Sequence, residues 1–273
     1  MTTAFPQYWF DFTHLGAAGL MLPVALVTVV GLWFAGKRVA VLAWGGALGL
    51  GVAVVLASKI AFMGWGIGSA RLNFTGFSGH TMLASAIFPV WLGWLFAALS
   101  ARLAPFGVAL GLGVGALVGW SRLALGAHSE SEVVTAWLLG SVVSLAAMPA
   151  LRKPVRSSGW AWLVVMLLLA LSVDGSLADY LPTRLWELRI ALRLSGRDKP
   201  YTRAELLRGE RPTFVDKKSR PGGWQVREDL TTAHDCQGNP TVLDIQKRDC
   251  ARASTEVPAS IFDAGAHTPV GQI

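Results

Sequence analysis

Long apolar stretches broken by brief polar connections dominate the first two-thirds of the chain. Six of them approach the roughly 18–22 residues that a membrane-spanning helix requires. They lie near 15–35, 38–58, 80–99, 104–122, 132–150 and 159–177, the last interrupted at its end by Asp174 and Gly175. Short connections make neighbouring helices antiparallel. Glycines at Gly45/Gly49 and Gly111/Gly115/Gly119 have the four-residue spacing that lets helices approach closely. The expected fold is therefore an all-α integral membrane protein, with about six transmembrane helices in an antiparallel bundle over residues 1–178.

Beyond residue 178 the alternation of long apolar runs stops. Pro182 to Leu194, rich in Leu, Ile and Arg around Trp186, reads as an interfacial helix. Residues 179–252 as a whole read as a polar extracytoplasmic region, with two short strands expected at Trp224–Val226 and Thr241–Ile245 around the turn-forming residues 237–240. Residues 253–273 have the composition of a disordered end. The tail is expected to rest over the outer face of the bundle and limit access to it. Both cysteines, Cys236 and Cys250, fall here, and a disulfide between them is expected if the tail is outside the cytoplasm.

Composition agrees with the spans. The 273 residues are 53% hydrophobic and only 15% charged, and the mean hydropathy is +0.47, whereas a soluble domain carries about a quarter charged residues. The net charge of +7 is explained by basic loops and anionic lipid rather than by nucleic acid, which is not an expected partner. No cleavable leader is read before the first span, because Met1 to His14 has no Lys or Arg. Lys37, Arg38, Arg102, Arg152, Lys153 and Arg156 lie in the odd-numbered connections and assign those to the cytoplasm. Both termini and the second and fourth connections then face outward, as in a bacterial inner-membrane protein with its site on the periplasmic side. Trp9, Trp65, Trp120 and Trp160 fall near span ends, where an aromatic belt is expected.

Lys59, Arg71 and Arg122 break the charge rule, and they do so beside histidines. Ionisable groups bordering a bilayer are costly and point to function. Within Phe74-Thr-Gly-Phe-Ser-Gly-His80, the Ser78-Gly79-His80 triplet directly precedes an apolar run. It is placed at a helix N-terminus, where free N–H groups bind anions; the bland alternative is an N-cap serine beside a buried histidine. Arg122 ends the fourth span and His128 precedes the fifth, so both share an outward layer with His80. Glu132, four residues after His128, lies one turn on and can hold Nδ1–H, leaving Nε2 as nucleophile or base. Ser129-x-x-Glu132 also reads as a capping box, a role not easily combined with holding His128. Lone cations here would be snorkelling side chains, but three cations, a hydroxyl and backbone amides together suit a phosphoryl group. No Asp/Glu cluster offers itself to a metal, so no metal or other cofactor is expected.

Ser78-Gly79-His80 together with Ser121-Arg122-x5-His128-x3-Glu132 resembles the type 2 phosphatidic acid phosphatase superfamily, which also includes vanadium haloperoxidases. That family shows Lys-x6-Arg-Pro, then Pro-Ser-Gly-His, then Ser-Arg-x5-His-x3-Asp. The resemblance implies that His128 is a nucleophile forming a phosphohistidine, that Glu132 orients it, and that His80 is the general acid for the leaving alcohol. It implies phosphate binding by Lys59, Arg71, Ser78, Gly79 and Arg122. Three positions depart: Phe77 replaces the proline, Glu132 replaces Asp, and Gly66 stands seven residues after Lys59 where the family has Arg. Arg71, twelve residues after Lys59 and followed by Leu72, is the available substitute.

The reading adopted is a membrane phosphatase acting on a lipid phosphate or pyrophosphate monoester. Two alternatives stand beside it. Gly76-Phe77-Ser78-Gly79 also fits the GxSG motif of an intramembrane serine protease, with Ser78 attacking and His128 as its base. A scaffold or transporter with a degenerate phosphatase site is the non-catalytic option.

Overall fold

The computed structural model describes residues 7–151 and 183–210. The described chain is helical throughout, apart from loops and an isolated bridge between Ser69 and Phe74. In order the helices are α1 (Gln7–His14), α2 (Ala18–Phe34), α3 (Arg38–Trp65, with a π turn at Val41–Gly45), α4 (Gly79–Leu99), α5 (Ala104–Ala124), α6 (Glu130–Leu151), α7 (Thr183–Ser195) and α8 (Arg203–Leu207). Four stretches are long and apolar enough to cross a membrane: Phe12–Phe34, Arg38–Trp65, Gly79–Leu99 and Ala101–Ala124. These are the first four expected spans. The fifth is present as helix α6, though it is not among those four. The sixth expected span near 159–177, both cysteines, the two expected strands and the C-terminal end lie outside the described residues.

Helix α4 is the central element. It packs against α5 and α6 along much of its length and also meets α2 and α3. Its apolar side chains run around the whole circumference, as a buried helix requires, and Met82, Ile87 and Val90 join Leu20, Met21, Leu32 and Trp44 in the core. Lipid tails are as apolar as leucine, so close packing, rather than escape from water, must hold such helices together. Small residues provide it. A Cβ on Gly111 would come within 2.4 Å of the Pro89 nitrogen, and one on Gly115 within 2.4 Å of the Ser85 hydroxyl. One on Gly140 of α6 would come within 2.4 Å of the Met82 carbonyl. Gly45 packs on Val29, but Gly49 faces open space and is not a contact glycine.

Helix α3 runs past its expected end. The second span is expected to end near residue 58, yet the helix continues through Lys59 for six more residues to Trp65. Arg38 and Lys59 are then about 31 Å apart at ~1.5 Å per residue, close to the thickness of a bilayer core. The last two turns of α3 carry the tail. Helix α7 lies along α3, and Phe62 forms a small cluster with Tyr201 and Leu206. The rings of Phe62 and Tyr201 meet edge to face at 5.5 Å, and the Tyr201 amide donates to the Met63 carbonyl at 2.8 Å. Helices α7 and α8 belong to the same compact unit as the bundle.

Candidate active site

Gly66 explains why the site is built as it is. It takes a left-handed conformation (φ 70°) that ends α3 and turns the chain away, at the position seven residues after Lys59 where the resembled family has an arginine. The following loop makes a tight turn closed by paired Ser69 and Phe74 backbone bonds of 3.0 and 2.9 Å. Arg71 stands exposed at the tip of this turn, and no described hydrogen bond or ion pair links it to the histidines. The loop then doubles back over α3. Gly76, at φ 146°, lies so close to Lys59 that a Cβ would come within 3.0 Å of that side chain. The Phe77 amide donates to Ser58 Oγ at 3.2 Å, which pins the loop before α4 begins.

Ser78 sits at the N-cap of α4, as expected, but its side chain makes no capping bond. The hydroxyl is fully buried and accepts from Thr81 Oγ1 at 2.9 Å. Gly79 and His80 form the first turn, leaving early helix N–H groups without intrahelical acceptors. His80 lies within electrostatic reach of Arg122, His128, Lys59 and His14. Four separate elements therefore bring ionisable groups to the surroundings of His80. The turn between α1 and α2 is pressed against it, since a Cβ on Gly16 would come within 2.8 Å of the His80 carbonyl.

His128 Nδ1 lies 2.7 Å from Glu132 Oε2. Glu132 is completely buried, and both carboxylate oxygens are enclosed by donors. Oε1 accepts from the Thr75 amide at 2.7 Å, Thr75 Oγ1 at 2.5 Å and Arg203 Nη2 at 2.8 Å. Oε2 faces His128 and accepts from the Ser129 amide at 3.2 Å and Arg203 Nη2 at 2.7 Å. An ionised carboxylate only accepts, so His128 must donate through Nδ1, and Nε2 keeps its lone pair. The extra methylene of Glu132 thus reaches the imidazole without difficulty. Half of the expected capping box, the bond from the Ser129 amide, coexists with the histidine bond; the Ser129 hydroxyl instead pairs with Ser131 Oγ at 3.1 Å. Burial pushes the His128 imidazole below its ordinary value, Glu132 opposes this, and the Arg122 and Lys59 charges push it further down.

The two remaining cations are partly engaged. Arg122 Nη1 donates to Thr13 Oγ1 at 3.1 Å, while its buried Nε has no partner among the described residues. Buried His14 Nδ1 is likewise unpartnered there. Lys59 Nζ is held by both oxygens of Glu187 at 3.0 and 3.2 Å. Thus the structure gathers His80, His128, Glu132, Lys59, Arg122, Ser78 and Gly79, while Arg71 is exposed and has no described contact with them. Among the described residues, no group of three or more His, Cys, Asp or Glu side chains converges as a metal site would.

Sequence reasoning missed Thr13, His14, Thr75, Glu187 and Arg203. Thr75 lies inside the stretch already singled out, and a loop hydroxyl beside the motif was its only signal. Glu187 and Arg203 lie 128 and 71 residues from their partners, and no local spacing announces them.

The PAP2 superfamily model matches residues 64–156. A Klebsiella pneumoniae protein described as an uncharacterized 22.5 kDa protein in the cps region is 38% identical over 206 residues, covering 72% of this chain and 97% of that one. No solved structure matches.

Proposed function

The chain belongs to the PAP2 superfamily, and from this we propose that it is a membrane phosphatase that hydrolyses a lipid phosphate or pyrophosphate monoester through a phosphohistidine. The observation that carries the reading is the 2.7 Å pairing of His128 Nδ1 with a buried, donor-saturated Glu132, beside a second imidazole and two cations. Nε2 of His128 attacks phosphorus in line, and the P–O bond to the leaving alcohol breaks. Glu132 holds the ring and stabilises the positive charge it gains. His80 gives its proton to the departing oxygen, then takes one from the water that cleaves the phosphohistidine. Lys59, Arg122, the Ser78 hydroxyl and the Gly79 amide bind the equatorial oxygens, the Arg122 Nε being a buried donor with no acceptor among the described residues.

The predicted orientation puts this centre at headgroup depth on the periplasmic side, so a substrate's tails stay in the bilayer while its phosphate is processed. The protease alternative is weakened by Ser78 itself. Its hydroxyl accepts from Thr81, and no described hydrogen bond joins it to His128, the base that reading needs. The test is phosphate release by the full-length protein in detergent from a panel of lipid phosphates and pyrophosphates, with EDTA present. Release that persists in EDTA and is lost in His128→Ala supports the assignment. Absence of release from every lipid would favour the scaffold reading.

A further inference from the structure

We propose that Arg203 is a positioning residue for the His128–Glu132 pair, so that the chain beyond the spans completes the reaction centre. This rests on the phosphatase reading above. One nitrogen of Arg203, Nη2, bridges both oxygens of Glu132 at 2.8 and 2.7 Å and also reaches Thr75 Oγ1 at 3.1 Å. The other, Nη1, donates to Asn73 Oδ1 at 3.0 Å and to the Asn73 carbonyl at 3.4 Å. A single guanidinium therefore ties the loop at 73–75 to the first turn of α6. A glutamate has one more rotatable bond than an aspartate, and this fork removes that freedom.

Arg203 is itself held in place. Thr202 caps α8 through a reciprocal box in which its hydroxyl accepts from the Glu205 amide at 3.3 Å and Glu205 Oε2 accepts from the Thr202 amide at 2.7 Å. Tyr201, one residue earlier, is seated on Phe62 and bonded to Met63. The anchor is the end of α3, the helix that also supplies Lys59. Arg203 thus enters from a fixed stem, with its side chain one-third exposed and its partner fully buried. A buried carboxylate facing only neutral donors and an imidazole would be costly, and the guanidinium offsets that cost.

The charged groups acting on His128 are Glu132 from α6, Arg122 from α5, Lys59 from α3 and, on α4, His80, with Arg203 behind Glu132. Removing the Arg203 charge leaves more of the Glu132 charge acting on the imidazole, which favours its protonated form. The experiment compares full-length wild type, Arg203→Ala and Arg203→Lys by two readouts. The first is the pH profile of kcat and KM on an active lipid phosphate. The second is the rate of diethylpyrocarbonate acylation of the His128 peptide against pH, which needs no turnover. Arg203→Ala is expected to lower kcat on the order of 100-fold with little change in KM. Its acid limb and its acylation midpoint should both move to higher pH. Arg203→Lys should restore the midpoint but not kcat, because it keeps the charge without the fork. If Arg203→Ala is not recovered folded, the Lys variant's kcat and midpoint decide alone. Wild-type kcat and midpoint in both variants would overturn the proposal, as would a loss of kcat with no midpoint change and a parallel fall in Tm. The acylation midpoint tests Arg203 even if no lipid phosphate is turned over, so failure of the activity assignment is seen separately.

Discussion

Glu132 and Glu187 each bring a carboxylate to the same cluster, but under opposite conditions. Glu132 is fully buried, with three contacts on each oxygen. Glu187 shares one ammonium, with the Lys59 and Glu187 side chains 27% and 13% exposed. A saturated buried carboxylate cannot be displaced without stranding its donors, which costs several kcal/mol. The Lys59–Glu187 pair keeps some solvent contact and rests on one ammonium alone, and we propose that a substrate phosphate competes with Glu187 for Lys59. One carboxylate is therefore part of the fixed machinery. The other, on this proposal, gives way to the substrate.

The sharpest break in this contrast is His128→Ala, which removes the group that Glu132 serves and should abolish turnover. Glu132→Gln follows, expected to lower kcat on the order of 10³-fold or more, by analogy with orienting carboxylates elsewhere. Its effect on pH dependence is the diagnostic part. His128 must be neutral to attack, and burial and nearby cations already hold its pKa below the ordinary histidine value. Activity should therefore persist to lower pH than an ordinary histidine would allow, as a pH profile of kcat/KM would show. Glu132 raises that pKa, so Glu132→Gln should shift the acid limb of kcat/KM further down, opposite to Arg203→Ala. His80→Ala should cost about 10²–10⁴ in kcat on alkyl phosphates. On an ester with a good leaving group it should cost much less, and equal losses on both would remove His80 as general acid.

Glu187→Gln is the smallest expected effect and the only gain. Freeing Lys59 should lower KM by up to about 5-fold, the equivalent of ~1 kcal/mol, with kcat little changed. A rise in KM would mean that Glu187 helps bind substrate rather than standing in its way.

Much of this was legible in the sequence. Apolar run length located α4 and α5 closely, because a bilayer fixes how long such a run must be. The motif spacing brought His80, His128 and Glu132 together, since an i, i+4 relation and a helix N-terminus are local properties. The end of α3 lies beyond its expected position because a lysine after an apolar run reads as a boundary; an ion pair with Glu187 lets Lys59 sit inside the helix. The sequence offers Glu132 either a capping or a histidine-holding role, whereas its second oxygen performs both. Helix α1 was missed because eight residues carry too little periodicity to stand out. Arg203 was unreadable for a different reason: a pairing across 71 residues is set by tertiary packing, and that packing begins with Tyr201 on Phe62.

The central claim is covalent chemistry at His128, and trapping it is the most direct test. Full-length protein would be mixed with a ³²P-labelled lipid phosphate and quenched within milliseconds in alkali, then digested and mapped. The account predicts an acid-labile, alkali-stable label on the peptide carrying His128, absent in His128→Ala. Turnover with no label on that peptide, or with label on the peptide carrying Ser78, would contradict it.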